Sequence, residues 1–244
     1  MSQDRRPSLL LEPLALAELA QLVISPIYHA AGVPQGAGRS VLVLPALFAG
    51  DLYVYPMHSW LRRQGHKVVP STLTINAGCP ERLCRTVETE LKRRMTQETE
   101  RVVLIGHSRG GFLARTIAAR LQDEASHLIL LGSPIGIHPE TIQSRFEIDP
   151  GLAPARVLLV ASARARHLLD PDCNVPACGC PFPEDFRRPL SAKTKVVSIY
   201  SSDDPIVPAS ACLIAGARNV EVHGTHSGLV YNREVYEELA TSLA

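Results

Sequence analysis

Five residues, Gly106-His107-Ser108-Arg109-Gly110, follow directly on the apolar run at 101–105 and lead directly into a helical pattern over 111–121. An apolar run that ends on Gly-x-Ser-x-Gly before a helix describes a strand, a tight turn and a helix. Such a turn admits only small neighbours. It holds the serine in strained backbone geometry and lifts its oxygen above the end of the strand. A chain built around this unit needs a sheet that helices can cover, because the strand feeds a helix that must pack back onto it.

The rest of the sequence repeats the alternation. Apolar runs at 39–45, 66–70, 127–131, 195–200 and 219–223 read as further strands. Helical patterns lie at 55–64, closed by Gly65, at Pro80 onward with Leu83, Val87 and Leu91 one turn apart, and at 233–243. Strands alternating with helices imply an α/β class with a parallel sheet. The expected architecture is one domain of about six mainly parallel strands flanked by helices, which suits 244 residues.

Two stretches stand apart. Between 134 and 189 no strand pattern appears; 155–169 is helical and 171–189 is rich in Pro and Cys. An insertion of that length after the strand at 127–131 reads as a lid over a site. Residues 1–38 read as a lead-in with an amphipathic helix, whose stripe is Leu16, Leu19, Ala20 and Val23. Glu12, Pro13 and Glu18 interrupt its apolar run, which argues against a signal peptide and for a cytoplasmic protein. That helix packs on the main domain at 39–244 or attaches weakly to a membrane surface.

Charge excludes whole classes of partner. Lys+Arg 25 against Asp+Glu 24 leaves a net charge of +1, with no electrostatic footprint for nucleic acid. No apolar run approaches the ~18 residues of a membrane span. Six cysteines in a chain of this length do not make a disulfide scaffold. Cys173, Cys178 and Cys180 lack the Cys-x2-Cys spacing of a zinc site, and Cys84 reads as a small buried hydrophobe.

A serine hydroxyl attacks only when a base can take its proton, and the base needs a third group to fix its tautomer. Both appear downstream, each just past a strand. Asp203 and Asp204 follow the run at 195–200; His223 closes the run at 219–223 and His226 follows it. Pro205 forces Asp204 into extended backbone, which separates it from its neighbour.

On Leu44-Pro-Ala-Leu-Phe-Ala-Gly50, Gly106-His-Ser-Arg-Gly-Gly111, Ile199-Tyr-Ser-Ser-Asp-Asp-Pro-Ile-Val207 and Gly224-Thr-His-Ser-Gly-Leu229, the sequence resembles the α/β-hydrolase fold. The likeness is to compact bacterial lipases and esterases, from about Val41 to the C-terminus. It implies acyl transfer to water through an acyl-serine, with Ser108 as nucleophile, Asp204 rather than Asp203 as the acid, and His226 rather than His223 as the base. It implies oxyanion-hole N–H groups from Arg109 and from Leu47, with Phe48 as the alternative second donor. Ala46 stands where the family has Gly; at positive φ it would cost about 1 kcal/mol. No cofactor or metal is expected, and the substrate is a small-molecule or lipid-like ester.

Other residues read more plainly. His107 packs under the turn. The Arg109 side chain leaves the helix start toward solvent, unless it meets an acidic substrate group or the lid. By resemblance to relatives with cysteines in the lid, a disulfide would join the lid loop to Cys212. Thioesterase, amidase or acyltransferase chemistry on the same three residues, and a non-catalytic ligand-binding role, are the alternatives; oligomeric state is not legible.

Overall fold

Burial on both faces sets the strands. The computed structural model describes residues 9–95, 101–136, 153–173 and 179–244. The strands are β1 (Ser40–Leu44), β2 (Lys67–Val69), β3 (Val102–His107), β4 (Ala125–Leu131), β5 (Lys195–Ser201) and β6 (Arg218–Val222). β1, β3 and β4 are buried at every position, which is why their sequences are mainly apolar and do not alternate with polar residues. The helices are α1 (Ala15–Ile24), α2 (Tyr55–Arg63), α3 (Pro80–Arg94), α4 (Arg109–Leu121), α5 (Ala153–Leu169), α6 (Phe182–Arg187), α7 (Ala209–Cys212) and α8 (Arg233–Leu243).

The sheet order is β2-β1-β3-β4-β5-β6, and all five pairings are parallel. From β1 the chain goes outward to β2, then crosses back to place β3 on the other side of β1. Strand order therefore reverses between β1 and β3, and the loops leaving their carboxyl ends part there to form a crevice.

Alternation along each strand divides the core in two. Val41, Val43, Val103 and Ile105 pack with Met57 and Trp60 of α2 and with Tyr236 and Leu239 of α8. Leu42, Leu44, Leu104 and Leu130 pack with Val87 and Leu91 of α3 and with Leu113 and Ile117 of α4. Helices thus cover both faces.

The amphipathic helix forms, but its inward face is not the expected one. α1 buries Ala15 and Leu22 and half-buries Glu18 and Leu19, whereas Leu16, Ala20 and Val23 face solvent. The packed positions keep helical spacing but include a carboxylate, which turns inward because backbone donors wait for it. α1 packs on the short 3-10 turn Ser227–Tyr231.

Within 134–189, α6 is held in the helical layer: Phe186 stacks on Phe112 of α4 with ring centroids 5.5 Å apart, and Arg120 of α4 donates to Asp185 at 2.8 Å. Residues 137–152 and 174–178 of the expected lid lie outside the described residues. Cys180 is disulfide-bonded, and Cys79, Cys84 and Cys212 are free. A bridge to Cys212 is therefore not formed; that thiol is buried against β5, where its carbonyl accepts from Ser198. Among the described residues no helix is long and apolar enough to cross a membrane, and no cluster of His, Cys, Asp and Glu is arranged to hold a metal ion.

Candidate active site

Ser108 follows β3 and caps α4, with φ 52° and ψ −120°. The turn is tight because its neighbours lack side chains. A Cβ on Gly106 would come within 2.5 Å of the Gly111 Cα, and one on Gly110 within 2.3 Å of the Leu44 carbonyl oxygen. The Ser108 N–H donates to the Leu131 carbonyl at 2.9 Å, tying the turn to the end of β4.

Asp204 leaves β5 and His226 follows β6. The Asp204 carboxylate accepts from the Ile206 and Val207 N–H groups at 2.7 and 2.8 Å through Oδ1. Its Oδ2 lies 2.6 Å from His226 Nδ1, and His226 Nε2 lies 2.9 Å from Ser108 Oγ. Because Oδ2 can only accept from the ring, the proton sits on Nδ1, and Nε2 is left free to accept the serine hydroxyl. Both partners are buried. Burial alone would push the imidazole toward neutrality, but the charge and hydrogen bond of Asp204 outweigh it, and the net effect raises the His226 pKa. Gly132, at φ 52°, clears the floor beneath the pair: a Cβ there would sit 3.3 Å from His226 Nδ1 and 3.4 Å from Asp204 Oδ2.

Asp203 and His223 turn away and pair with each other at 3.0 Å on the exposed side of the same loops. The two Asp–His pairs are thus sorted by burial, with 204 and 226 inside.

The loop after β1 lies beside the serine turn, as the strand reversal requires. Leu47 N–H makes no backbone hydrogen bond among the described residues, and Arg109 N–H, the first of α4, has no intrahelical acceptor. Phe48 N–H is engaged by the Asn76 carbonyl at 3.1 Å, which leaves it less suited as a donor. The strained residue of this loop is Phe48, at φ 62°, and not Ala46, so the expected penalty at Ala46 does not arise.

Arg109 departs from expectation. Its guanidinium turns inward, donating to the Asn76 side-chain oxygen and to the Gly78 carbonyl, the latter at 2.8 Å. Burial lowers its pKa to about 10, still far into the charged range at neutral pH. The expected solvent-facing orientation fails because two acceptors lie within its reach across the crevice.

Several neighbours hold the loop that carries His226. Burial holds His107 neutral, and its Nε2 lies 3.0 Å from the His226 carbonyl, which it supplies with a proton. Tyr53 donates to the Ser227 carbonyl at 2.7 Å. Glu12 and Glu18, from the lead-in, reach the same loop.

A family model described as "PGAP1-like alpha/beta domain" matches residues 82–148. Comparison with curated proteins finds no match. Solved structures are similar over most of the chain. Polyneuridine aldehyde esterase is 16% identical with a TM-score of 0.53, over 84% of this chain and 98% of that one. The monoacylglycerol lipase of Paleococcus ferrophilus is 15% identical with a TM-score of 0.53, over 86% and 96%. A soluble variant of the monoglyceride lipase of Saccharomyces cerevisiae, in complex with a substrate analog, is 17% identical with a TM-score of 0.53, over 86% and 89%. At these identities the likeness is one of fold: the chain has the α/β-hydrolase fold, with a hydroxyl, an imidazole and a carboxylate meeting beyond the carboxyl ends of β3, β6 and β5.

Proposed function

We propose that the protein is a serine hydrolase that cleaves carboxylic esters through an acyl-serine intermediate. One observation carries the reading: Ser108, His226 and Asp204 stand in line at 2.9 and 2.6 Å, with the serine in the strained turn that presents it. Ser108 Oγ attacks the acyl carbon and its proton passes to His226 Nε2. Asp204 holds Nδ1–H and stabilises the imidazolium. The N–H groups of Arg109 and Leu47 receive the oxyanion. As the ester C–O bond breaks, Nε2 returns the proton to the leaving alcohol. Water, deprotonated by the same nitrogen, then attacks the acyl-enzyme, and the acid leaves with Ser108 restored. Apart from the ester and water, the groups in these steps are side chains and N–H groups of this chain.

Esterases and monoacylglycerol lipases share the fold, which supports an ester as the scissile group. Phe48 and Leu52, both on the loop after β1, are 40% and 87% exposed, and they favour a small-molecule, lipid-like ester with an apolar acyl chain. The test is a panel of p-nitrophenyl esters of increasing chain length, with a fluorophosphonate as covalent probe. Wild type should turn over esters and be labelled at Ser108, and Ser108→Ala should lose at least ~10³ in kcat. An unlabelled Ser108 in folded protein would sink the proposal.

A further inference from the structure

The loop that carries His226 is gripped from a distant part of the chain. Glu12 accepts from the His226 N–H at 2.9 Å through Oε1 and from the Ser227 N–H at 3.0 Å through Oε2. Glu18, on α1, accepts from the Thr225 N–H at 2.9 Å and from the Thr225 hydroxyl at 2.8 Å. Three consecutive backbone donors, 225 to 227, are thus taken by two carboxylates that lie more than 200 positions away in sequence.

The loop is shaped to receive them. A Cβ on Gly224 would lie 2.7 Å from Glu18 Oε1, and one on Gly228 only 1.3 Å from Glu18 Oε2. The glycines around His226 therefore leave the space that the Glu18 carboxylate fills. The opposite side of the loop is fixed too, by His107 on the His226 carbonyl and Tyr53 on the Ser227 carbonyl. The charged and titratable groups around the ring are Asp204 from the loop after β5, His107 and Ser108 from the end of β3, and Glu12 from the lead-in.

We propose that Glu12 and Glu18 are positioning residues, whose carboxylates fix the backbone of 225–227 so that the His226 ring stands between Asp204 and Ser108. This rests on the proposed serine hydrolase chemistry. The bonds are charge-assisted and directed at backbone N–H groups, so they set the position of the His226 Cα. Glu12 also adds negative charge beside the imidazole, which favours its protonated form. The lead-in is in this view part of the catalytic apparatus.

The test uses the full chain with Glu12→Gln and Glu12→Asp. Glutamine has one acceptor oxygen for two N–H groups and no charge; aspartate keeps the charge and shortens the reach. The rate of Ser108 labelling by a fluorophosphonate is followed against pH, and amide exchange is followed at 225–227. Glu12→Gln should lower the plateau rate about 10- to 100-fold, move the midpoint to lower pH, and speed exchange at His226 or Ser227. Glu12→Asp should lower the plateau while shifting the midpoint less. A rate within twofold of wild type overturns the inference, and so does a lower rate with an unmoved midpoint, which marks mere structural support. If wild-type Ser108 does not react, the hydrolase reading falls, and exchange decides alone: unchanged protection at 225–227 in both variants overturns the clamp.

Discussion

The side-chain amide of Asn76 donates to the Pro45 carbonyl at 2.7 Å and so fastens the segment between β2 and α3 to the loop that leaves β1. The backbone of the same residue completes the tie: Asn76 N–H donates to Ala49 at 2.8 Å, and its carbonyl accepts from Phe48. Its remaining oxygen takes the Arg109 guanidinium. One buried side chain therefore joins the two places from which oxyanion donors are proposed, the loop at Leu47 and the turn at Arg109.

Asn76→Ala should loosen that joint. Donors that shift relative to the attacked carbon weaken transition-state binding more than substrate binding. The expected result is a fall of about tenfold or more in kcat with KM nearly constant. Pro45 and Arg109 would each lose a buried partner, at a cost of about 1–3 kcal/mol in stability. Steady-state kinetics on p-nitrophenyl esters checks the first effect and thermal melting the second. A kcat within twofold of wild type would mean that the loop is held without Asn76.

Ser108 offers a second prediction, about strain. A non-glycine residue at φ 52° and ψ −120° is held there by its surroundings at a cost of about 1–3 kcal/mol. Ser108→Gly and Ser108→Ala both remove the hydroxyl and should both be inactive, but only glycine relieves the backbone. After the greater entropy of glycine in the unfolded chain is subtracted, about 1 kcal/mol of relief remains. For a chain of this size that is roughly 2–4 °C. Differential scanning calorimetry should find Ser108→Gly melting above Ser108→Ala; the opposite order would show that the turn is not strained.

The parts of the molecule legible in the sequence were those that announce themselves locally. β1, β3 and β4 are buried on both faces, so largely apolar stretches marked them. Gly106 and Gly110 marked the turn because nothing larger fits. Ser108, Asp204 and His226 could be ordered because each follows a strand of a parallel sheet, and such loops gather at one edge. The lead-in was misread for the complementary reason. The partners of Glu12 and Glu18 are backbone N–H groups, which every residue but proline carries, so no residue type betrays them. A carboxylate in the stripe looked like an interruption and rotated the inferred face of α1. Arg109 was set toward solvent because a helix start leaves long side chains free by default; its acceptors, Asn76 and Gly78, lie in a segment with no periodic pattern.

The paired aspartates carry the last prediction, with a direction in pH. His226 must be neutral at Nε2 to accept the serine proton, so activity rises as pH climbs through the pKa of the ring. Burial opposes the imidazolium and Asp204 more than offsets it, which places that pKa above the ordinary value of 6.5. Asp204→Asn removes the charge and leaves the burial. The asparagine oxygen still accepts from Ile206 and Val207, but its NH2 group then faces Nδ1 and drives the proton to Nε2, where it blocks proton transfer from Ser108. The activity of that variant should fall by about 10³–10⁴-fold, and the midpoint of what remains should move below the wild-type value. Among the described residues the Asp203 side chain pairs only with the exposed His223, so Asp203→Asn should stay within about twofold of wild type. The pH dependence of kcat/KM for the three proteins decides it. Greater damage from Asp203→Asn, or a midpoint that stays in place in Asp204→Asn, would transfer the acid's role away from Asp204.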